Sequence, residues 1–208
     1  MPTIDTMLAF TLASVVLAFA PGPDNIFVLT QSAIRGPKAG VAVTFGLATG
    51  LIVHTAAVVL GLAALIAVSE LAFTILKVIG AAYLVYLAIG AFRAGAETIE
   101  AKDAHVRGLA QYYRRGIIMN VTNPKVSIFF LAFLPQFVNA EAGNTTAQML
   151  ALALIFFIVT IIVFSAIALL AGRIGGVLMG SPRAQVLMNR IAGTIFLGLA
   201  AKLALSER

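Results

Sequence analysis

Long apolar segments follow one another along almost the whole chain, and this feature limits the possible folds more than any other. Each segment is close to the roughly 20 residues that an α-helix needs to cross the hydrocarbon core of a bilayer. Hydrophobic residues make up 61% of the 208 residues and charged residues only 11%. A soluble domain of this length cannot bury so much apolar surface. The sequence therefore predicts an all-α, multi-pass membrane protein in contact with the lipid bilayer.

The apolar runs and the polar segments between them predict six membrane spans. The spans cover about 5–33, 40–68, 71–93, 115–138, 146–172 and 186–206, and the first is interrupted near 21–25. The long polar connection, about 94–114, is predicted to be a cytoplasmic loop that divides a single transmembrane domain into two repeats, about 1–93 and about 115–208. Because each repeat has three spans, the second is expected to be inverted relative to the first.

Basic residues lie on one side of this predicted topology. The connections between spans 1 and 2, 3 and 4, and 5 and 6 contain Arg35, Lys38, Arg93, Lys102, Arg107, Arg114, Arg115, Arg173, Arg183 and Arg190. The connections around Glu70 and Glu141 contain none. Loops rich in Lys and Arg stay in the cytoplasm, so both termini are predicted to lie outside. These loops also explain the net charge of +6, so no nucleic-acid partner is expected.

The absence of cysteine narrows the possible chemistry. Disulfides, thiolate metal sites and redox dithiols all require cysteine. A membrane electron conduit of the disulfide-reductase type, which also uses paired proline-flanked helices, would need a cysteine in each of them. No cofactor, metal site or catalytic residue is predicted, and the protein is not expected to be an enzyme.

The first predicted span contains an unusual cluster of helix-breaking and polar residues. Pro21, Gly22 and Pro23 are followed directly by Asp24 and Asn25. Proline removes a backbone hydrogen bond from a helix and obstructs another. In hydrocarbon the freed backbone groups cost several kcal/mol each unless protein, water or a ligand satisfies them. The cluster is therefore predicted to break the helix.

A similar cluster lies half a chain away. A shift of 101 residues aligns "PDNIFV" (23–28) with "PKVSIF" (124–129). In this alignment Pro23 corresponds to Pro124, and Asp24 corresponds to Lys125. Each half is thus predicted to have a first helix that is broken at proline, with a charge just after the break. Transporters built from inverted repeats bring such discontinuous helices together near the bilayer midplane.

The two charges suggest a binding site for a zwitterionic solute. An Asp or Lys at the membrane centre costs about 2.5–3.5 kcal/mol, so a pair at equivalent positions favours a function. Asp24 can accept an ammonium group or a proton, and Lys125 with the start of the half-helix can attract a carboxylate. Neutral partners nearby are Asn25, Asn120, Asn123 and Ser127. The alternative is a structural ion pair between Asp24 and Lys125 that joins the two halves.

Two further polar residues have more than one interpretation. His54 lies at helical spacing from Gly46 and Gly50, a pair that allows close helix contact. It could relay protons or be a structural histidine whose hydrogen bonds are satisfied. Gln31 lies two turns after Asn25 and could line the same cavity or only cap the end of the helix.

Two long stretches resemble the paired signatures of the LysE/RhtB amino-acid exporters. They are "PGPDNIFVLTQSAIRGPKAGVAVTFGLATGLIVH" (21–54) and "NVTNPKVSIFFLAFLPQFV" (120–138). The segments "LKVIGAAYLVYLAIGAFR" (76–93) and "NRIAGTIFLGLAAK" (189–202) are similar to the third and sixth spans of that family. The resemblance implies efflux of amino acids across the bacterial inner membrane, driven by the proton gradient. The alternatives are a non-transporting scaffold or a channel-like protein for another small solute, and a channel would require a homo-oligomer.

Overall fold

The computed structural model describes residues 1–20, 22–62, 70–94, 108–139 and 141–205. Within these ranges the chain forms α-helices and no strand. The helices are α1 (Ile4–Phe19), α2 (Pro23–Arg35), α3 (Pro37–Ala57), α4 (Glu70–Arg93), α5 (Leu109–Thr122), α6 (Pro124–Ile128), α7 (Thr145–Gly180) and α8 (Pro182–Leu205). A π-helical segment (Val58–Leu62) extends α3, and a π-helical segment (Phe129–Phe133) followed by a 3-10 turn (Leu134–Phe137) extends α6.

Several of these helices are long and apolar enough to cross a membrane. Pro37–Gly61, Thr145–Ala171 and Gln185–Leu205 qualify as single helices. Two bent pairs also qualify, namely α1 with α2, bent by 59°, and α5 with Pro124–Phe137, bent by 51°. The described chain therefore has 3 candidate spans, or up to 5 if each bent pair counts as one. The predicted third span coincides with α4, whose 24 residues measure about 36 Å at 1.5 Å per residue. The inverted six-span arrangement stays a prediction.

Some helix ends differ from the predicted boundaries. Helix α5 begins at Leu109, inside the segment that was predicted to be a loop. Helix α7 continues to Gly180, well beyond the predicted end at 172, and the chain leaves the helix only at Ser181. The difference arises because the length of an apolar run matches the thickness of the hydrocarbon core, whereas a helix can continue beyond the membrane into water. Parts of the predicted spans and loop (63–68, 95–107 and 206) lie outside the described residues.

Helix α3 lies at the centre of the packing, in contact with α2, α5 and α7. Its approach to α5 requires glycine, because a Cβ at Gly46 would lie 2.0 Å from the carbonyl oxygen of Tyr113. On α5, at the same interface, a Cβ at Gly116 would lie 2.3 Å from the carbonyl oxygen of Val43. A Cβ at Gly50 would lie 2.7 Å from the side chain of Asn120. The close contact predicted from Gly46 and Gly50 is therefore confirmed.

A cluster of phenylalanine rings fixes the segment that follows the second break. The ring centroid of Phe129 lies 5.6 Å from that of Phe10 on α1 and 5.0 Å from that of Phe156 on α7. Phe133 and Phe137 continue the cluster along the extension of α6. Aromatic rings at these separations pack favourably, so the extension of α6 is fixed against α1 and α7.

Candidate functional site

The prolines lie where two helices are interrupted. Helix α1 ends at Phe19 and α2 begins at Pro23, while α5 ends at Thr122 and α6 begins at Pro124. Proline suits the first position of a helix because a backbone N–H at that position has no acceptor within the helix, so its absence costs nothing. Pro21, also predicted to take part in the break, lies outside the described residues. Gly22 is the residue directly before α2.

Side chains satisfy the carbonyl groups at the end of α1. The ammonium of Lys125 donates to the carbonyl oxygens of Leu17, at 3.3 Å, and Ala20, at 3.0 Å. The amide nitrogen of Asn25 donates to the carbonyl oxygen of Ala18. The last carbonyl groups of a helix have no partner within the helix, and at membrane depth leaving them unpaired is costly. The first break is thus stabilised in part by a lysine that follows the second break.

Asn123 connects the two breaks. Its side-chain oxygen accepts a hydrogen bond from the backbone N–H of Lys125 at 3.0 Å and so caps α6. Its side-chain nitrogen donates to Oδ2 of Asp24 at 2.8 Å. The two charged side chains therefore have different partners, because Asp24 binds an amide and Lys125 binds backbone carbonyls. The hydrogen bonds of the site join the two halves without a direct bond between the charges.

A small cavity lies at this junction. Its volume is about 20 Å³, and its walls consist of Leu17, Ala18, Asp24, Leu47, Asn120, Lys125, Val126, Phe156, Thr160 and Phe164. Such a volume holds about one water molecule or one small functional group. Most of the wall is apolar, so Asp24 and Lys125 lie in surroundings of low dielectric constant. Electrostatic interactions with their charges are therefore stronger than in water. The cavity is too small for a whole amino acid in this conformation.

Three oxygen atoms of the cavity-lining residues lack a hydrogen-bond partner in the described part of the chain. They are Oδ1 of Asp24, Oδ1 of Asn120 and Oγ1 of Thr160. Thr160, which lies on α7, is not among the site residues predicted from the sequence. The available signal was a hydroxyl within a strongly apolar span, but the sequence does not show which face of that helix meets the two breaks.

The other predicted site residues lie around this cavity or away from it. His54 Nε2 donates to the carbonyl oxygen of Asn120 at 3.0 Å, but His54 is not among the lining residues. Ser127 Oγ donates to the carbonyl oxygen of Asn123 at 3.1 Å. Gln31 is buried on α2 and is not among the lining residues. The structure thus brings Asp24, Asn120 and Lys125 together at the cavity wall. The side chains of Asn25 and Asn123 bind backbone groups at the two breaks.

Fold and site together define a class, that of multi-pass helical membrane proteins with buried charges at two helix breaks. The LysE type translocator model matches residues 15–207, and the chain belongs to this family. The resemblance noted in the sequence is therefore confirmed.

Curated relatives extend over nearly the full length of the chain. It is 35% identical over 202 residues to the homoserine/homoserine lactone efflux protein of Salmonella typhimurium, with 97% of each chain covered. It is 28% identical over 203 residues to the leucine efflux protein of Salmonella choleraesuis, which covers 94% of this chain and 92% of the relative. It is 33% identical over 204 residues to an uncharacterized membrane protein of Vibrio cholerae, with 98% of each covered. No solved structure matches the chain.

Proposed function

We propose that this protein is a secondary transporter that exports amino acids or close derivatives from the cytoplasm. The observation that carries the proposal is the cavity at the two helix breaks, whose wall contains a buried carboxylate and a buried ammonium. Buried charges are expensive, and in membrane proteins they mark solute or proton pathways. The names of the relatives, which export homoserine, homoserine lactone or leucine, support the same substrate class.

The two charges would bind opposite ends of a zwitterion. Asp24 Oδ1 is free to accept hydrogen bonds from an ammonium group. Lys125 has three N–H donors, two of which already bind the carbonyls of Leu17 and Ala20. The third can donate to a carboxylate. Apolar residues such as Phe156 and Phe164 would contact the side chain of the solute.

Transport requires the site to open to each side of the membrane in turn. A cavity of about 20 Å³ does not admit an amino acid, so a closed arrangement of this kind fits an intermediate between inward-open and outward-open states. We propose that the two halves rock around the breaks, as in other transporters with discontinuous helices. The hydrogen bonds from Lys125 and Asn123 to the first half are the contacts that this motion would alter.

Proton coupling would use the same carboxylate. When Asp24 carries a proton it no longer attracts an ammonium group, so binding of proton and solute would be mutually exclusive. A proton entering from outside would then release the solute outward and return to the cytoplasm on Asp24. The inward proton gradient would drive export.

The proposal can be tested in inside-out membrane vesicles, where export appears as uptake of radiolabelled leucine or homoserine. Asp24→Asn and Lys125→Ala are each expected to lower the rate at least about tenfold, because a hydrogen bond to a charged group contributes about 1.5–3 kcal/mol. Asp5→Asn and Lys38→Ala change exposed residues of the same types and should leave the rate unchanged. A protonophore should abolish uptake by the unaltered protein.

Three outcomes would contradict different parts of the proposal. Wild-type rates in both Asp24→Asn and Lys125→Ala would remove the site. Uptake that survives the protonophore would remove proton coupling. Failure to transport any amino acid, by protein shown to be folded in the membrane, would remove the substrate class.

The proposed orientation, with both termini outside the bacterial inner membrane, rests on the cation pattern and has a direct test. The chain contains no cysteine, so single introduced cysteines can be labelled without background. In intact spheroplasts a membrane-impermeant maleimide should label E141C, and should label K38C only after the membrane is opened. Both positions are exposed on the protein. The reverse labelling pattern would place the termini in the cytoplasm.

A further inference from the structure

The three unpaired oxygens of the cavity form a group of their own. Asp24, Asn120 and Thr160 are 4%, 2% and 3% exposed, and each has a buried oxygen without a hydrogen-bond donor in the described chain. All three residues line the same cavity of about 20 Å³. They come from α2, α5 and α7, so no local sequence pattern brings them together. Buried acceptors without donors are uncommon in native proteins and require an explanation.

The hydroxyl of Thr160 behaves differently from those of Thr11, Thr44 and Thr55. Thr11, Thr44 and Thr55 donate their hydroxyl hydrogens to the carbonyl oxygen four residues earlier, at 2.7, 2.9 and 2.8 Å. This bond is the usual way in which a helical threonine satisfies its hydroxyl group. The hydroxyl of Thr160 makes no such bond and has no other partner in the described chain. It is therefore available to a group in the cavity.

We propose that this cavity is an ammonium pocket in which Oδ1 of Asp24, Oδ1 of Asn120 and Oγ1 of Thr160 bind the primary ammonium group of the transported solute. The inference rests on the proposed function and specifies which part of the solute is recognised. A primary ammonium has three N–H donors, one for each oxygen. The carboxylate of Asp24 balances its charge. The volume fits one group of about the size of water rather than a larger substituted amine.

The pocket determines which solutes are accepted. A site built to hydrogen-bond an N–H group discriminates strongly against analogues that lack it, because its buried oxygens are then left unpaired. Acylation of the amine removes the charge and two of the three donors, so two of the three oxygens would stay unpaired. Solutes with a free α-ammonium should therefore bind whether or not their carboxylate is free, although Lys125 favours a free carboxylate.

The experiment measures binding to the purified full-length protein in detergent by isothermal titration. The probes are leucine, leucinamide (ammonium but no carboxylate) and N-acetylleucine (carboxylate but no ammonium). The unaltered protein should bind leucine, should bind leucinamide more weakly, and should show no binding of N-acetylleucine at the same concentrations.

Variants of Thr160 test its role directly. Thr160→Val replaces the hydroxyl by a methyl group and should weaken binding of leucine and leucinamide about tenfold, because one N–H of the ammonium loses its partner. Thr160→Ser should stay within about twofold of the unaltered protein because it keeps the oxygen. Thr30→Val is the matched control, since Thr30 is also buried, at 6% exposed, with an unpaired hydroxyl, but does not line the cavity.

Each outcome has a distinct meaning. Binding of N-acetylleucine as tight as that of leucine, or unchanged affinities in folded Thr160→Val, would overturn the pocket and would indicate that a water molecule alone pairs with these oxygens. The same holds if neither leucine nor leucinamide binds. If the probes bind as expected but vesicles accumulate no amino acid, the pocket stands and the proposed export fails. If vesicles export leucine and N-acetylleucine equally, export stands and the pocket fails.

Discussion

The two helix breaks are built on the same plan but differ in how they are stabilised. Each has a proline at the start of the following helix, and the bends are similar, at 59° and 51°. The residue before α6 is Asn123, which caps that helix with its own side chain. The residue before α2 is Gly22, which has no side chain to do so. The first break uses its own Asn25 and, in addition, Asn123 and Lys125 from the second half.

This asymmetry assigns different roles to the two halves. The second break is capped locally and supplies two of the side chains that hold the first. The first break supplies backbone carbonyls and the carboxylate of Asp24. A change at the second break should therefore damage both, whereas a change at the first should remain local. Four substitutions test this difference, in order of decreasing expected effect on stability.

Asn123→Ala should have the largest effect, lowering the free energy of unfolding by about 2.5–4 kcal/mol. It removes the cap of α6, at about 1 kcal/mol, and the hydrogen bond to a carboxylate, at about 1.5–3 kcal/mol. Denaturation in detergent micelles, followed by circular dichroism, measures the change. Asn123→Ser keeps a capping oxygen without the amide donor and should lose less. Equal losses in the two variants would show that the cap contributes nothing.

Gly116→Ala should lower the free energy of unfolding by about 1–3 kcal/mol, the usual cost of forcing a group into a packed interior. The new Cβ would lie 2.3 Å from the backbone carbonyl of Val43, so α5 would have to move away from α3. This movement would also displace the second break. Gly198→Ala meets no atom within 4 Å and serves as the control, with unchanged or slightly higher stability. A stable Gly116→Ala protein would mean that α3 does not position the second break.

Asn25→Ala should lower the free energy of unfolding by about 1 kcal/mol, because it leaves only the carbonyl of Ala18 without its donor. Since Asn25 supports the first break alone, the loss should be smaller than that of Asn123→Ala. The two variants are compared in one denaturation series. A larger loss for Asn25→Ala would reverse the assigned roles of the two breaks.

Gly22→Ala should have the smallest effect on stability, below about 1 kcal/mol. Replacing a capping side chain before a helix costs about 1 kcal/mol with alanine and a few tenths with glycine, so glycine to alanine loses only the difference. The backbone of Gly22 is extended, so alanine is compatible with its conformation. The new Cβ would lie 3.2 Å from the ammonium of Lys125, so the ammonium would have to shift by a few tenths of an ångström, and its hydrogen bonds to the carbonyls of Leu17 and Ala20 would weaken. The rate of transport should therefore fall even though the free energy of unfolding changes little. Gly22→Val, with a larger side chain, should lower transport further, and unaltered transport in both variants would contradict this role.

The two breaks illustrate how far the sequence could be interpreted. Proline in an apolar run has few physical outcomes in lipid, so the interruptions near Pro23 and Pro124 followed from the chain alone. The opposite charges of Asp24 and Lys125 at equivalent positions likewise indicated a site. Helix ends were less predictable, as the extension of α7 to Gly180 shows. The length of an apolar run indicates where a segment crosses the membrane, but it does not indicate where the helix ends.

The sequence by itself determined that the chain is helical, lies in a membrane and breaks two helices beside charged residues, because burial of backbone groups in hydrocarbon leaves few alternatives. Only the tertiary structure decided the partners of those charges. It directs Lys125 to the carbonyls of α1, Asn123 to Asp24, and Thr160 from a distant helix to the same cavity. These contacts depend on how the helices rotate and cross, which is set by packing between residues far apart in the chain.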